Sequence, residues 1–265
     1  MNAATDTAET FQSANRERPQ VEQLGGYRMQ PLRALKALRK LMTDKEDTAQ
    51  VFEIMRSLSG GSAVKGYQRL LKTPEGGRIA YQREEFADRL SDAAWLESFG
   101  PGTVGAAYRD FIAPRGLSAE GLANESRKAR GSQVDAAHPF AWYGRRMRDV
   151  HDVWHVLTGY STDALGEACV VAFSYSQTKS LGFALIAFGG GRQFNKLKNG
   201  QPYTQAIRQA FKNGKAASWL PVVDYPALFA ENLEDARKRL NIQSASIYHT
   251  IPAPRRDGVM TPMAA

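Results

Sequence analysis

Two histidines and two acidic residues lie close together near the middle of the sequence. His151 and His155 are four residues apart, so on a helix their imidazoles share one face, one turn apart. Asp152 leaves that helix about 100° away, near enough to join a site at the helix edge. Glu167 follows His155 after eleven residues and can return from a second helix. Imidazole and carboxylate groups in this arrangement are suitable ligands for a divalent metal.

A purely structural polar network is a second interpretation of the same residues. In that case both histidines hydrogen-bond Asp152 and Glu167 and hold two helices in register. A zinc protease is a weaker interpretation, because that motif places a glutamate directly after the first histidine. Asp152 occupies this position and is one methylene shorter. The residues alone therefore leave metal binding and a structural network open.

The motif requires a helix, a turn and a second helix to bring its parts together. Residues 140–159 have the pattern of one central helix, and Gly159 suits the left-handed conformation that ends helices. Ser161 or Thr162 is expected to cap the next helix, with Asp163 favourable in its first turn. The sequence therefore predicts a helix-turn-helix site.

Helical spacing of apolar residues recurs along the whole sequence, and no segment shows convincing strand alternation. Residues 164–188 are nearly apolar, which is typical of a helix buried all round, and Gly189–Gly191 are expected to end it. We therefore predict an all-α fold with a single multi-helix domain over residues 31–243. Residues 1–30 are expected to be a poorly ordered tail, and residues 244–265 a loose C-terminal tail.

Composition limits the compartment and the partners. The single cysteine, Cys169, is expected to be a buried apolar residue, and it allows no internal disulfide, which favours a reducing compartment. The N-terminus lacks a secretory pattern, and no apolar run reaches the roughly 18 residues of a spanning helix. A net charge of +8 favours an anionic partner. Because no nucleic-acid-binding motif is present, we expect no nucleic acid and favour an anionic membrane surface.

The segment from Pro31 to Met42 is the strongest candidate for membrane contact. It is predicted to be a helix whose leucines share one face and whose basic residues lie mostly elsewhere. Packing against the domain is the alternative role of that apolar face. We expect a cytoplasmic protein held peripherally on the inner (cytoplasmic) membrane face. The residues concerned are Leu32, Arg33, Leu35, Lys36, Leu38, Arg39, Lys40 and Met42.

Three further stretches accompany the histidine motif. Residues 143–150 run directly into it, and residues 102–118 contain a block of glycine, tyrosine, phenylalanine and glycine-leucine. Leu240-Asn241-Ile242 stands near the end. Together with His-Asp-x-x-His-x(11)-Glu, these stretches resemble the ubiquinone (coenzyme Q) biosynthesis protein family numbered four, over roughly residues 31–243.

The resemblance implies a metal centre and a reaction. His151, Asp152, His155 and Glu167 are the implied ligands and catalytic residues, with zinc as the implied metal, although these ligand types also admit iron or manganese. The implied activity is metal-dependent oxidative decarboxylation of a prenylated 4-hydroxybenzoate-type precursor at the membrane surface. The alternative is a non-catalytic, prenyl-lipid-binding scaffold that organises other ubiquinone-biosynthesis enzymes. A homo-oligomer is also considered.

A prenylated acid requires one site for its acidic head and another for its tail. Arg145, Arg146 and Arg148 precede the ligands by less than two turns, and one of them is expected to hold the head by a bidentate contact. Solvated surface charge or helix salt bridges are the ordinary roles of such arginines. An apolar groove is expected for the tail, although ordinary core packing is the more usual role of each candidate wall residue. The candidate walls are Phe173, Leu181, Phe183, Leu185 and Phe188.

Overall fold

The computed structural model describes residues 29–44, 47–58, 61–115, 121, 124 and 137–257. Over these ranges the regular elements are helices and no strand occurs, so the predicted all-α, single-domain fold is confirmed. The predicted N-terminal tail, residues 1–30, lies almost entirely outside the described residues.

Sixteen helices and two 3-10 segments, Ala113–Arg115 and Leu220–Val222, can be assigned within those ranges. They are α1 Pro31–Thr43, α2 Thr48–Ser57, α3 Ser62–Leu70, α4 Pro74–Gln82, α5 Phe86–Leu90, α6 Ala93–Glu97, α7 Val104–Ile112, α8 Pro139–Asp149, α9 His151–Thr158, α10 Ala164–Thr178, α11 Leu181–Asn195, α12 Tyr203–Ala216, α13 Tyr225–Phe229, α14 Leu233–Arg239, α15 Ser246–Thr250 and α16 Ala253–Arg256.

Helix α10 forms the centre of the domain, as its apolar circumference predicts. It packs along α12 on one side and α11 on another. The backbones of α10 and α12 approach closely at Gly214, where an added Cβ would lie 2.1 Å from the Ser176 hydroxyl oxygen and 2.7 Å from the Phe173 carbonyl oxygen. Only a residue without a side chain can occupy that position without moving the two helices apart.

The predicted central helix over residues 140–159 is in fact two helices, α8 and α9, with a break at Val150. Val150 has φ −85° and ψ −1°, so its amide bonds to both the Arg146 and Arg148 carbonyl oxygens as α8 tightens and ends. The apolar spacing continues through the break, and the sequence pattern therefore did not reveal it. The consequence is that the histidines start a new helix with its own direction.

The predicted apolar helix over residues 164–188 is also divided, because Lys179 adopts the left-handed conformation at φ 58° and ends α10. Gly189–Gly191 do not end the segment but lie inside α11, which corrects the prediction. Each glycine contacts a different helix. The nearest side chain to an added Cβ is Leu38 of α1 at Gly189, Ala168 of α10 at Gly190 and Ile207 of α12 at Gly191.

The two ends of the described chain are anchored to the domain. Helix α1 buries Ala34, Ala37, Leu38 and Leu41 and packs against α2 and α11. At the other end, residues 246–256 form α15 and α16, with Tyr248 and Ile251 buried, so the structure differs from the loose tail predicted from residue 244. Two large apolar side chains suffice to hold this short segment, although it has little periodicity. In the described ranges, none of the helices has the length and apolarity needed to cross a membrane.

Candidate metal centre

The turn between α9 and α10 is fixed at both of its ends. Gly159 ends α9 at φ 76°, in the left-handed conformation that the sequence predicts. Asp163, rather than Ser161 or Thr162, caps α10, and its Oδ1 accepts from the Gly166 amide at 2.8 Å. The Tyr248 hydroxyl donates to Asp163 Oδ2 at 2.5 Å. The cap therefore links the start of α10 to the C-terminal helix α15.

This turn brings His151, His155 and Glu167 together. The two imidazole Nε2 atoms are 3.3 Å apart. Glu167 Oε2 lies 3.6 Å from His151 Nε2, and Glu167 Oε1 lies 3.4 Å from His155 Nε2. His155 is fully enclosed, whereas the Glu167 side chain is 44% exposed. The cluster therefore has a buried base and an opening to solvent.

Two contacts fix the orientation of His155. Its Nδ1 lies 3.0 Å from the Tyr160 carbonyl oxygen, which accepts a hydrogen bond from Nδ1–H and leaves Nε2 free to act as a ligand. Its ring stacks on Phe111 of α7, with ring centroids 5.5 Å apart and planes 25° apart. Neither contact was predictable from the motif, because Phe111 lies on the distant helix α7 and Tyr160 contributes its backbone carbonyl oxygen rather than its side chain.

The geometry of the cluster fits a divalent metal. Four tetrahedral ligands at about 2.1 Å from an ion lie about 3.4 Å from one another, close to the separations seen here. All three donor atoms lie within 4.8 Å of one another, and Asp152 is not part of this group. The Asp152 carboxylate still acts electrostatically on His155, so it lies near the cluster rather than in it. The structure brings together three of the four residues in the predicted ligand set.

The electrostatics of the cluster also favour a cation. Burial alone would lower the pKa of His155, but the charge and hydrogen bond of Glu167 outweigh it, and the pKa is raised. Desolvation would raise the pKa of Glu167, but the charge of His155 and hydrogen bonds from both imidazoles hold it far below its usual range. Glu167 is thus a carboxylate that attracts positive charge between itself and two imidazoles. A divalent metal ion bound between these three residues would supply that charge.

The three arginines of α8 have different environments. Arg145 forms a bidentate pair with Glu85, at 2.9 Å and 2.5 Å. Arg146 is buried and donates to the carbonyl oxygens of Pro221 and Val223. Both guanidinium groups therefore hold the fold together. Arg148 pairs with one oxygen of Asp149 at 2.7 Å, but its buried Nη1 has no hydrogen-bond partner among the described residues.

The proposed tail-binding residues do not line one described cavity. Phe173 is fully buried in the main core and packs edge-on against Trp154, which is the ordinary packing role. Phe183 is partly buried against the same core, whereas Phe188 is 68% exposed on the outside of α11. A cavity of about 490 Å³ lies elsewhere, beyond the C-terminal end of α9, and Gly159, Arg237 and His249 are among its lining residues.

Comparison with known proteins agrees with the family resemblance of the sequence. A family profile described as coenzyme Q (ubiquinone) biosynthesis protein Coq4 matches residues 32–246. The Neurospora crassa ubiquinone biosynthesis protein coq-4, mitochondrial, is 29% identical over 178 residues, covering 66% of this chain and 48% of that protein. The human ubiquinone biosynthesis protein COQ4 homolog, mitochondrial, is 26% identical over 180 residues, covering 68% of this chain and 65% of that protein.

The fold also resembles a solved structure. A candidate ubiquinone biosynthesis protein from Nostoc punctiforme PCC 73102 superimposes with a TM-score of 0.57 at 19% identity, over 82% of this chain and all of that chain. The matched region spans only 48–65% of the two curated relatives' lengths. The profile match, by contrast, extends over most of the helical domain from α1 to the start of α15. The chain belongs to the coenzyme Q (ubiquinone) biosynthesis protein Coq4 family.

Proposed function

We propose that the protein acts in ubiquinone biosynthesis as a metal-dependent enzyme that oxidatively decarboxylates a prenylated 4-hydroxybenzoate-type precursor. The observation that supports this proposal is the triangle of His151, His155 and Glu167, which is enclosed at its base and open on the Glu167 side. In this proposal these three residues hold a divalent metal, and zinc is the metal that the family resemblance implies. Asp152 lies beside the cluster and completes the catalytic set.

A bound metal of this kind supplies Lewis-acid polarisation of a substrate oxygen. The chain's own residues do the rest. His155 is held by the Tyr160 carbonyl oxygen and Phe111, so it keeps its Nε2 directed at the opening. Arg148 remains the best of the three arginines for contact with the polar head, because Arg145 and Arg146 are already engaged.

The proposed reaction replaces the ring carboxylate with a hydroxyl group. The bond between the ring carbon and the carboxylate breaks, carbon dioxide leaves, and the carbon forms a bond to oxygen. Zinc has no redox chemistry of its own, so the proposal names the oxidant separately. Water supplies the hydroxyl oxygen, and the two electrons and two protons released together with carbon dioxide pass to dioxygen, giving hydrogen peroxide, or to an electron acceptor of the quinone pathway. Other ubiquinone-biosynthesis enzymes are therefore proposed partners, as is a second copy of this chain.

The test is a turnover assay with purified, zinc-loaded protein and a short-chain prenylated 4-hydroxybenzoate carrying a labelled carboxyl carbon. Release of labelled carbon dioxide, dependent on the metal and on oxidant, is the expected result. Binding of the acid without release of carbon dioxide would refute the enzymatic proposal.

A non-catalytic scaffold that binds prenyl lipids is the second candidate function. The exposed apolar side chains of α1 and α11 favour it, since Leu32 is 83% and Phe188 68% exposed. Under this proposal the metal is structural, and the protein presents lipid to other enzymes. Copurification of prenyl lipid with a metal-free variant that retains its fold would support the scaffold.

We also propose that the protein is peripheral on an anionic membrane, at the cytoplasmic face of the inner membrane. The proposed contact, here called the α1 surface, consists of the exposed side chains of α1. Its apolar residues would enter the bilayer interface while its cations bind anionic headgroups. The α1 surface comprises Leu32, Leu35, Lys36, Arg39 and Lys40. Arg33 is excluded from it, because its guanidinium pairs with Glu53 of α2.

A further inference from the structure

Three polar atoms near the start of α9 are buried and have no hydrogen-bond partner in the part of the chain that the structure describes. They are the hydroxyl oxygen of Tyr108, Nη1 of Arg148 and Oδ2 of Asp149. Arg148 directs Nε and Nη2 to the same oxygen of Asp149, each at 2.7 Å, which leaves the other oxygen and Nη1 unused. Buried polar groups in native proteins are normally satisfied, so three such atoms indicate a missing hydrogen-bonding group.

Arg148 and Asp149 end α8 immediately before Val150 and α9, and Tyr108 lies on α7, which packs against α9. Tyr108 and Phe111 are three residues apart on α7, and Phe111 stacks on His155. Tyr108 therefore lies one turn along α7 from a direct neighbour of the metal cluster. Burial, with the nearby charges of Asp152 and Asp149, raises the pKa of Tyr108. The Tyr108 hydroxyl therefore keeps its proton and can donate or accept a hydrogen bond.

The chemistry of the three atoms selects their ligand. Arg148 Nη1 can only donate, Asp149 Oδ2 as a carboxylate oxygen can only accept, and the Tyr108 hydroxyl can do either. A neutral hydroxyl, the kind of polar group that a 4-hydroxybenzoate ring carries, can accept from the arginine and donate to the carboxylate at the same time. A carboxylate group would be repelled by Asp149 and Asp152, so it belongs on the metal side of the site instead.

We propose that Tyr108, Arg148 and Asp149 form a hydroxyl-binding subsite that holds the ring hydroxyl of the substrate beside the metal. This inference rests on the proposed function and assigns the two polar groups of the substrate to different places. The ring hydroxyl enters the subsite, while the carboxylate faces the metal cluster. A water molecule has the same hydrogen-bonding chemistry, and the experiment below separates it from the ring hydroxyl.

The experiment compares two ligands by calorimetry on the zinc-loaded protein. One is a short-chain prenylated 4-hydroxybenzoate, and the other is the same compound without the ring hydroxyl. Wild-type protein is expected to bind the hydroxylated ligand at least about tenfold more tightly, because the analogue leaves buried polar groups unpaired. Tyr108→Phe is expected to reduce this preference to roughly twofold or less, mainly by weakening binding of the hydroxylated ligand.

Two further variants complete the design. Arg148→Lys keeps the positive charge beside Asp149 but removes the nitrogen that corresponds to Nη1. This variant should also reduce the preference for the hydroxylated ligand. Tyr203→Phe is the matched control: Tyr203 is equally buried in α12, but its hydroxyl donates to the Arg255 carbonyl oxygen, remote from the motif in sequence. Its preference should equal that of the wild type. Phenylalanine retains the ring at position 108 and removes only an unpartnered hydroxyl, so the variant should fold.

The results separate failure of this inference from failure of the proposed function. If Tyr108→Phe weakens the binding of both ligands equally, or of neither, the subsite holds only water or nothing. The inference is then wrong, while the proposed function stands. If wild-type protein binds both ligands equally, the inference is wrong in the same way. If wild-type protein binds neither ligand, the proposed substrate class is wrong and the inference fails with it.

Discussion

His155 is the most enclosed residue of the metal cluster, and its loss removes one ligand without exposing the core to solvent. We expect His155→Ala to reduce bound zinc from about one ion per chain to near zero and to abolish turnover. Replacement of a buried side chain should lower the free energy of unfolding by about 1–3 kcal/mol. Elemental analysis and urea unfolding measure the two effects.

His249→Ala is the matched control, because His249 lies outside the cluster. It should retain zinc. Stoichiometric zinc in His155→Ala would contradict the ligand assignment. Failure of His155→Ala to fold would instead indicate a structural metal and favour the scaffold.

Phe111 affects the metal only through His155, so its replacement should produce a smaller change. Phe111→Leu keeps an apolar side chain but removes the ring face that lies 5.5 Å from the imidazole centroid. We expect zinc affinity to fall about tenfold, at the lower end of what residues supporting a ligand contribute. Competition with a chelating dye measures the affinity. An unchanged affinity, with normal unfolding, would mean that the Tyr160 carbonyl oxygen alone orients His155.

At this scale the local part of the site was predictable from sequence. The spacing of His151 and His155 depends only on the period of a helix, and Glu167 returns through a turn marked by Gly159. Phe111 and Tyr108 reach the site through packing of α7 on α9, across more than forty residues. Helical periodicity within one segment does not predict a contact between two helices that are distant in sequence. The arginines had the right spacing too, but the sequence could not show that Arg145 and Arg146 already have partners.

Among the elements, the pair α10 and α12 allows the least change. Gly214→Val should separate these helices, because its Cβ alone would overlap the Ser176 hydroxyl oxygen and the Phe173 carbonyl oxygen. We expect the free energy of unfolding to fall by about 3 kcal/mol or more.

Gly144→Ala in α8 is the control for this effect. An added Cβ there meets no atom within 4 Å, and alanine favours the helix by up to about 1 kcal/mol. Urea unfolding of both variants gives the comparison. A Gly214→Val protein as stable as the wild type would show that the two helices can move apart without cost.

Element boundaries were less predictable than element types. Val150 and Lys179 each divide a segment whose apolar pattern is continuous, because a break in backbone direction leaves the pattern intact. At residues 189–191 the sequence predicted a helix end, whereas the helix continues through them. Three glycines in sequence usually end a helix, and here contacts with three other helices override that tendency.

For the whole molecule, the net charge of +8 leads to a testable prediction about which surface binds an anionic membrane. We expect replacement of Lys36, Arg39 and Lys40 by Gln to weaken binding to anionic liposomes at low salt. The loss should be about 3 kcal/mol in total, roughly a hundredfold, at about 1 kcal/mol per cation. Leu32→Gln should instead reduce the binding that remains at high salt.

A second triple variant separates location from net charge. Arg208, Lys212 and Lys215 are exposed on α12, and their replacement by Gln changes the net charge by the same amount. Liposome co-sedimentation over a salt series should show little effect of this variant. Equal losses in the two triple variants would show that overall charge, rather than the α1 surface, attracts the membrane.

The three glycines of α11 have a consequence for how the molecule folds. Successive residues of a helix are rotated by about 100° around its axis. The three glycines therefore leave roughly half of the circumference of α11 without side chains at this point. Each glycine also costs about 1 kcal/mol of helix propensity relative to alanine. Helix α11 can therefore form only when α1, α10 and α12 are already assembled around it. It should be among the last elements to become ordered, and a peptide of residues 181–195 should be unstructured in water.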